Sequence, residues 1–180
     1  MSRVGYVSDS TNDLLAEFTP IEYWKYCIHA HERVSGTHSP DILERAVDFS
    51  RLLDLPFARR VPLAGLSLGT ARKAQLIAGF MTLPDLLILD EPFLGLDFLA
   101  SRALESVLAQ LRDAGTAIVV SNHDLDLAAR LADQLMVLHQ GAVLLNEHVE
   151  TLGGHSRVEQ AISNMLVSAR RKGTDVSTVT

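Results

Sequence analysis

Leu86-Leu87-Ile88-Leu89-Asp90-Glu91-Pro92 is an unbroken aliphatic run closed by two acids and a proline. A run of that length without polar alternation predicts a parallel strand buried on both faces. Asp90 and Glu91 then fall at its carboxyl end, where open α/β sheets bind their ligands. Downstream, Leu104, Val107, Leu108 and Leu111 recur at helical spacing between Asp97 and Ala114, and Gly115 supplies a left-handed stop. Ala117-Ile118-Val119-Val120 reads as the next buried strand. Leu125, Ala128, Ala129 and Ala132 mark a helix, and Leu135-Met136-Val137-Leu138 a further strand. Gln140-Gly141 is a tight turn into Ala142-Val143-Leu144-Leu145, and a C-terminal helix and a polar tail from Gly173 to Thr180 follow. Strands alternating with helices predict an α/β fold.

Upstream the reading is mostly helical. Val4-Gly5-Tyr6-Val7 is a short strand candidate before the turn-forming cluster Ser8 to Asp13. Thr19-Pro20-Ile21-Glu22 combines a capping threonine, a proline at the first helical position and a glutamate three residues after the cap, which starts a helix through Glu32. Ser39-Pro40-Asp41 starts another, ended by Pro56, so residues 19–55 read as helical. Ser67 caps a third helix running to about Met81, because the orphan amides of a first turn need a side-chain oxygen.

Composition narrows the function classes. The chain has 180 residues, with 16 Lys+Arg against 22 Asp+Glu and a net charge of −6. With 47% hydrophobic residues it can bury a core. The acidic balance argues against non-specific binding to nucleic-acid backbone. The single Cys27 makes no intrachain disulfide and reads as a small buried apolar residue in a reducing compartment. Met1 to Asp13 lacks the apolar core of a secretory signal, and Leu76 to Leu89 is broken by Gly79, Thr82, Pro84 and Asp85 before it reaches the roughly 20 residues that span a bilayer. The expectation is a cytoplasmic chain without a membrane helix.

Two strand ends carry chemistry. Asp90-Glu91 follows one and His123-Asp124 the next, so two acids and an imidazole can converge on one crevice. Paired acids suit a division of labour, one holding a divalent cation and the other taking a proton from an attacking water. Acids after strands also cap helices, which is the plainer alternative. A rival reading lies in the same residues. Gly65-Leu66-Ser67-Leu68-Gly69 satisfies Gly-x-Ser-x-Gly, and Ser67, Asp90 and His123 run in the order of an α/β-hydrolase serine esterase. That elbow requires a strong strand directly before it, whereas Val61-Pro62-Leu63-Ala64 is short and carries a proline. His29, His31 and His38 fit no metal-ligand spacing and read as solvated, as does the basic run Arg170-Arg171-Lys172.

The run from Leu86 to Pro92, followed by Gly95-Leu96-Asp97, closely resembles the Walker B strand, catalytic glutamate and D-loop of ATP-binding cassette (ABC) ATPases. Leu66-Ser67-Leu68-Gly69-Thr70 resembles their signature in the Ser-Leu-Gly variant of ABC-2-type exporters, with Arg72 and Lys73 where that family has basic residues. Ser121-Asn122-His123-Asp124 resembles the switch-histidine loop, and Val4 to Asp9 the strand leading into the Q-loop. The resemblance covers residues 3 to about 150. It implies a P-loop NTPase-like parallel sheet with a helical subdomain, and ATP and Mg²⁺ as cofactors. By it, Asp90 holds Mg²⁺ through water, Glu91 polarises the attacking water and His123 contacts the terminal phosphate. Ser67 and Gly69 bind the ATP of a partner subunit, and Asp97 couples the two sites across the dimer. Asp9 stands at the Q-loop position, where the family has the longer, uncharged Gln.

No Gly-x-x-x-x-Gly-Lys-Ser/Thr occurs in the 180 residues, so the phosphate-cradling loop is not among them. The match begins abruptly at Arg3, which predicts an N-terminally truncated cassette, the C-terminal majority of a longer domain. In the family's sheet, the strand leading to that loop lies between those corresponding to residues 117–120 and 135–138, so its loss opens the sheet and predicts a chain unstable alone or completed by another. Residues 1–180 read as a single partial domain: 10–80 the helical and signature region, 84–146 the Walker B to switch-histidine core, 147–180 the C-terminal helix and tail. The resemblance implies an ATP-binding subunit coupling ATP hydrolysis to export. Its implied partners are a second nucleotide-binding subunit, identical or not, and a membrane permease docked near residues 10–60, with the chain peripheral at the inner membrane face. The alternative within the family is a degenerate, non-hydrolytic piece that lends Ser67 and Gly69 to an intact partner.

Overall fold

The computed structural model describes residues 3–11, 15–36, 38–55, 60–154, 157–158 and 162. The expected C-terminal helix beyond residue 162, the run Arg170-Arg171-Lys172 and the polar tail lie outside the described residues. The chain forms two compact units, one up to Ser121 and one from Asn122.

The first unit runs β1 (Val4–Val7), α1 (Pro20–Ser35), α2 (Asp41–Leu52), a 3₁₀ turn (Leu63–Gly65), α3 (Leu68–Phe80), β2 (Leu86–Asp90), α4 (Phe98–Asp113) and β3 (Ala117–Ser121). Its three strands form a parallel sheet in the order β1-β2-β3, with Val7 beside Leu89 and Asp90 beside Ser121. The caps expected at Thr19 and Ser67 form. The Thr19 amide donates to Glu22 Oε2 at 2.9 Å while the Glu22 amide donates to Thr19 Oγ1 at 3.4 Å, a reciprocal box that satisfies two orphan donors of α1. Ser67 caps α3 and Asp97 caps α4. The second helix starts at Asp41 as read, with Pro40 in the cap position and no side-chain bond there. It stops at Leu52, short of Pro56, because Asp54 turns left-handed at φ 48° and the Leu55 amide folds back onto the Ser50 carbonyl at 2.7 Å.

One core serves this unit. Trp24 and Ile28 from α1, Ile42 from α2, Leu76, Ile77 and Phe80 from α3, and Leu104 and Leu108 from α4 close over Val7, Leu87 and Leu89 of the sheet. Each such side chain stabilises by about 1.5–3 kcal/mol when fully buried. The indole of Trp24 also donates to the Ala74 carbonyl at 2.9 Å, so its polar edge is satisfied inside the core. Strand β1 meets α3 almost backbone to backbone: a Cβ on Gly5 would come within 2.3 Å of the Gly79 carbonyl oxygen.

The strands are not buried on both faces, as their aliphatic runs predict. Leu87 and Leu89 are sealed, whereas Leu86 and Ile88 are half-buried. Strand β3 alternates between exposed and half-buried residues throughout. The helices α3 and α4 share a hydrophobic cluster with one face of the sheet, and on the other Val4, Tyr6 and Val119 remain 55–61% exposed. Cys27, read as buried, is half-buried at the margin of that cluster, and burial pushes its thiol pKa up against a hydrogen bond with Tyr23 that lowers it.

The second unit holds α5 (Leu125–Leu131) and the antiparallel pair β4 (Gln134–His139) and β5 (Ala142–His148). Gln140 and Gly141, at φ 48° and 78°, make the primed turn that joins them. Ala129, Leu135, Leu145, Val149, Val158 and Ile162 form its core. Among the described residues no helix is long and apolar enough to cross a membrane.

Candidate functional site

The parallel register sets the site. Asp90 ends β2 directly beside Ser121, which ends β3, so their side chains leave the sheet together. The Ser121 hydroxyl donates to Asp90 Oδ1, and its oxygen accepts the Glu91 amide at 3.0 Å. Glu91 follows in a turn at φ 43°, a left-handed conformation that costs a residue with a side chain about 1–3 kcal/mol unless its surroundings hold it. Its carbonyl accepts the Leu94 amide at 3.1 Å, which closes the turn towards Gly95 and Asp97.

Beneath this turn lies Arg72 of α3, only 1% exposed. Its Nη2 donates to the carbonyls of Asp90 at 2.6 Å and Glu91 at 2.9 Å. Its Nη1 donates to the Ser8 carbonyl and to Gln75 Oε1, and Gln75 Nε2 in turn reaches the Ser10 carbonyl at 2.7 Å. Burial pushes the guanidinium pKa below its ordinary value, while the carboxylates of Asp9, Asp90 and Glu91 pull it back up. Arg72 thus ties together the first residues after β1 and β2. In sequence Arg72 is marked only as a basic position and Ser121 only as the start of the switch-histidine loop, neither with a role of its own. Both act through backbone or short polar contacts, which leave no spacing rule.

The predicted phosphate-contacting end of α3 is capped by Ser67. Ser67 Oγ accepts the Thr70 amide at 3.3 Å and shares a hydrogen bond with Thr70 Oγ1 at 2.7 Å. A Cβ on Gly69 would lie 2.5 Å from the Gly95 carbonyl oxygen, so the first turn of α3 and the turn after Glu91 touch through backbone. Asp97 Oδ1 accepts the Ala100 amide at 2.8 Å. Asp9 is exposed after β1, with Ser8 Oγ donating to its carboxylate at 3.4 Å. His123 stands exposed in the second unit, ahead of Asp124, whose side chain caps α5.

The elbow required by the esterase alternative is not formed. Ser67 follows a 3₁₀ turn instead of a strand, and at φ −63° it is an ordinary helix cap without strain. His29 Nδ1 lies 2.7 Å from the Lys25 carbonyl and His38 Nδ1 lies 2.6 Å from Glu32 Oε1. His31 is half-buried beside a cavity that Cys27 also lines.

A family profile described as "AAA domain, putative AbiEii toxin, Type IV TA system" matches residues 8–129, from just after β1 into α5 and so across the first-unit site residues from Ser8 to Ser121. The chain belongs to this AAA-domain family. Among its relatives, a putative ABC transporter ATP-binding protein of Bacillus anthracis is 26% identical over 152 residues, 84% of this chain and 26% of that protein. A putative ABC transporter ATP-binding protein of Thermosynechococcus vestitus is 37% identical over 120 residues, 66% of this chain and 42% of that protein. A solved structure, the ATP-binding subunit of an ABC transporter, superposes with a TM-score of 0.74 at 28% identity, covering 83% of this chain and 60% of that one. The chain therefore has the ABC ATPase fold, and it spans about a quarter to under a half of the length of these curated relatives.

For an AAA domain the donor set at the sheet end is informative. Among the described residues no group of three His, Cys, Asp or Glu side chains gathers to hold a metal. Mg²⁺ does not need one, since it keeps several waters and takes one or two carboxylates together with substrate phosphates. Asp90, oriented by Ser121, fits that requirement.

Proposed function

We propose that this chain is part of the ATP-binding subunit of an ABC transporter and serves ATP hydrolysis coupled to export. The observation that carries the reading is the paired acid turn at the end of β2, oriented by Ser121 and by Arg72 of the signature helix. Asp90 would hold Mg²⁺ through water, and Glu91 would accept a proton from the attacking water. The ion, when bound, neutralises charge developing on the phosphates. His123 would contact the terminal phosphate. The N-terminus of α3, with Ser67 and Gly69, would receive the phosphates of a partner's ATP, since its first amides and the helix dipole favour an anion. Asp97 would couple the two sites, and Asp9 would take the Q-loop position.

The partner subunit is supported by a cluster of exposed apolar side chains around the same turn: Leu68, Leu94, Phe98 and Leu99 are 51–77% exposed. A permease would dock near residues 10–60, which puts the chain in the cytoplasm at the membrane's inner face. Within the chain, 10–80 would act as the signature-bearing helical region, 84–146 as the Walker B to switch-histidine core and 147–180 as the C-terminal segment.

The Ser67-capped N-terminus of α3, with Leu68 beside it 57% exposed, also suits a second reading, a chain that lends its signature to an intact cassette without turnover of its own. Phosphate release from MgATP separates the two. Hydrolysis by the purified chain, abolished in Glu91→Gln, supports the first. No release alone, with stimulation of a full-length ABC ATPase that Ser67→Arg abolishes, supports the second. Neither effect would refute both.

A further inference from the structure

The geometry points to Arg72 as a positioning residue for the proposed hydrolysis, a buried clamp that fixes the Glu91 peptide and couples it to the segment after β1. This rests on the reading above for its chemistry, though not for its geometry.

The two strand ends set the requirement. Val7 and Leu89 are neighbours in register, so the chain leaves β1 and β2 side by side, and both exits present carbonyl oxygens. Carbonyl oxygens all carry partial negative charge and need donors when buried. One guanidinium meets the requirement at both exits, with Nη1 on Ser8 and Nη2 on Asp90 and Glu91. Its planar fork can address several acceptors at fixed angles, which a lysine ammonium on a flexible stem cannot reproduce. Gln75, one turn further along α3 and 6% exposed, extends the clamp by holding Nη1 and reaching Ser10.

Glu91 is the residue in need of such support, because its φ of 43° is one that a glutamate does not keep without help. The peptide is held from two sides, its amide by Ser121 and its carbonyl by Arg72. Neither contact touches the carboxylate, so the clamp fixes where the side chain starts. Arg72 is anchored on the helix that Ser67 caps, and any shift of that helix is delivered to the acid turn and to residues 8–10 together.

Hydrogen exchange of the full 180-residue chain, read by mass spectrometry, tests the clamp without nucleotide. In Arg72→Lys, peptides covering residues 8–11 and 90–94 should exchange together, about tenfold or more faster, while peptides from α4 and from β4–β5 keep wild-type rates. Uniform acceleration would make Arg72 an ordinary core residue, and acceleration of one segment alone would remove the coupling; either overturns the proposal. If Arg72→Lys does not fold, Gln75→Leu decides, since loosening the clamp should speed both segments about threefold and no change at either overturns it. In MgATP hydrolysis, Arg72→Lys should lower kcat about tenfold and leave KM within about threefold. An unchanged kcat, or a loss confined to KM, contradicts positioning. A wild-type chain that releases no phosphate refutes the hydrolytic reading alone, and hydrogen exchange then decides for or against the clamp by itself.

Discussion

Ser121 donates its hydroxyl hydrogen to Asp90 Oδ1 from the neighbouring strand, while the same oxygen accepts the Glu91 amide at 3.0 Å. One side chain therefore fixes the carboxylate proposed to hold the metal and the peptide of the acid that follows. The arrangement depends on register, because Asp90 and Ser121 are paired at the ends of adjacent parallel strands.

Ser121→Ala should consequently separate stability from function. The residue is exposed, and losing its hydrogen bonds should cost about 0.5–1.5 kcal/mol each at most. A carboxylate freed to rotate loses its preset aim, so MgATP hydrolysis should fall about tenfold. Urea unfolding and phosphate release on the same preparations check this. A large loss of stability with unchanged turnover would assign Ser121 to the fold alone.

Gly69→Ala weighs two effects of opposite sign. Alanine is better than glycine inside a helix by about 0.8–1 kcal/mol. Here, however, the added methyl would stand 2.5 Å from the Gly95 carbonyl oxygen, a backbone atom that cannot rotate away. Overpacking of that kind costs about 1–3 kcal/mol, so the clash should win and the variant should unfold at lower denaturant. A stabilised Gly69→Ala would show that the segments need not approach so closely, and glycine there would then be explained by ligand access alone.

The capping box of α1 should leave a signature in acid. Hydrogen bonds from the Thr19 side chain and amide hold the Glu22 carboxyl below its ordinary value of 4.5. Just below that value the unfolded chain takes up protons more readily than the folded one, so stability rises with pH there. The contribution is complete above the unfolded value and vanishes as pH falls through the depressed folded one. Wild type should therefore melt above Glu22→Ala near neutral pH, and the gap should close in acid. A gap that persists in strong acid would mean that the glutamate stabilises α1 by something other than its charge.

These residues also show where sequence reading succeeds and where it stops. The caps at Thr19 and Ser67 are legible because a cap is a local event whose donor and acceptor lie within three residues. The acids at the end of β2 are legible because an aliphatic run announces its own end. Burial is overread in the same run: Leu86 and Leu87 look alike in sequence, yet only one side of the sheet shares the core of α3 and α4. Arg72 escapes because a cation in a helix ordinarily signals a solvated face, and its partners Ser8, Asp90 and Glu91 are met through carbonyl oxygens that every residue has. Pro56 is overvalued as the end of α2, since the stop comes earlier, at a left-handed Asp54 that no composition rule marks.

The conformation of Glu91 supplies the last test. At φ 43° it occupies a region that glycine enters freely and other residues enter at about 1–3 kcal/mol. Glu91→Gly and Glu91→Gln both remove the proposed proton acceptor, so both should abolish MgATP hydrolysis. They differ in strain, since glutamine keeps the unfavourable backbone while glycine relieves it. Glycine's greater freedom in the unfolded chain offsets part of that relief, by about 0.5–1 kcal/mol. Glu91→Gly should therefore be the more stable of the two by about 1 kcal/mol in urea unfolding, a difference that the wild-type residue forgoes to hold its carboxylate at the sheet end. Equal stabilities, or a less stable glycine variant, would mean that the hydrogen bonds from Ser121 and Arg72 already absorb the strain completely.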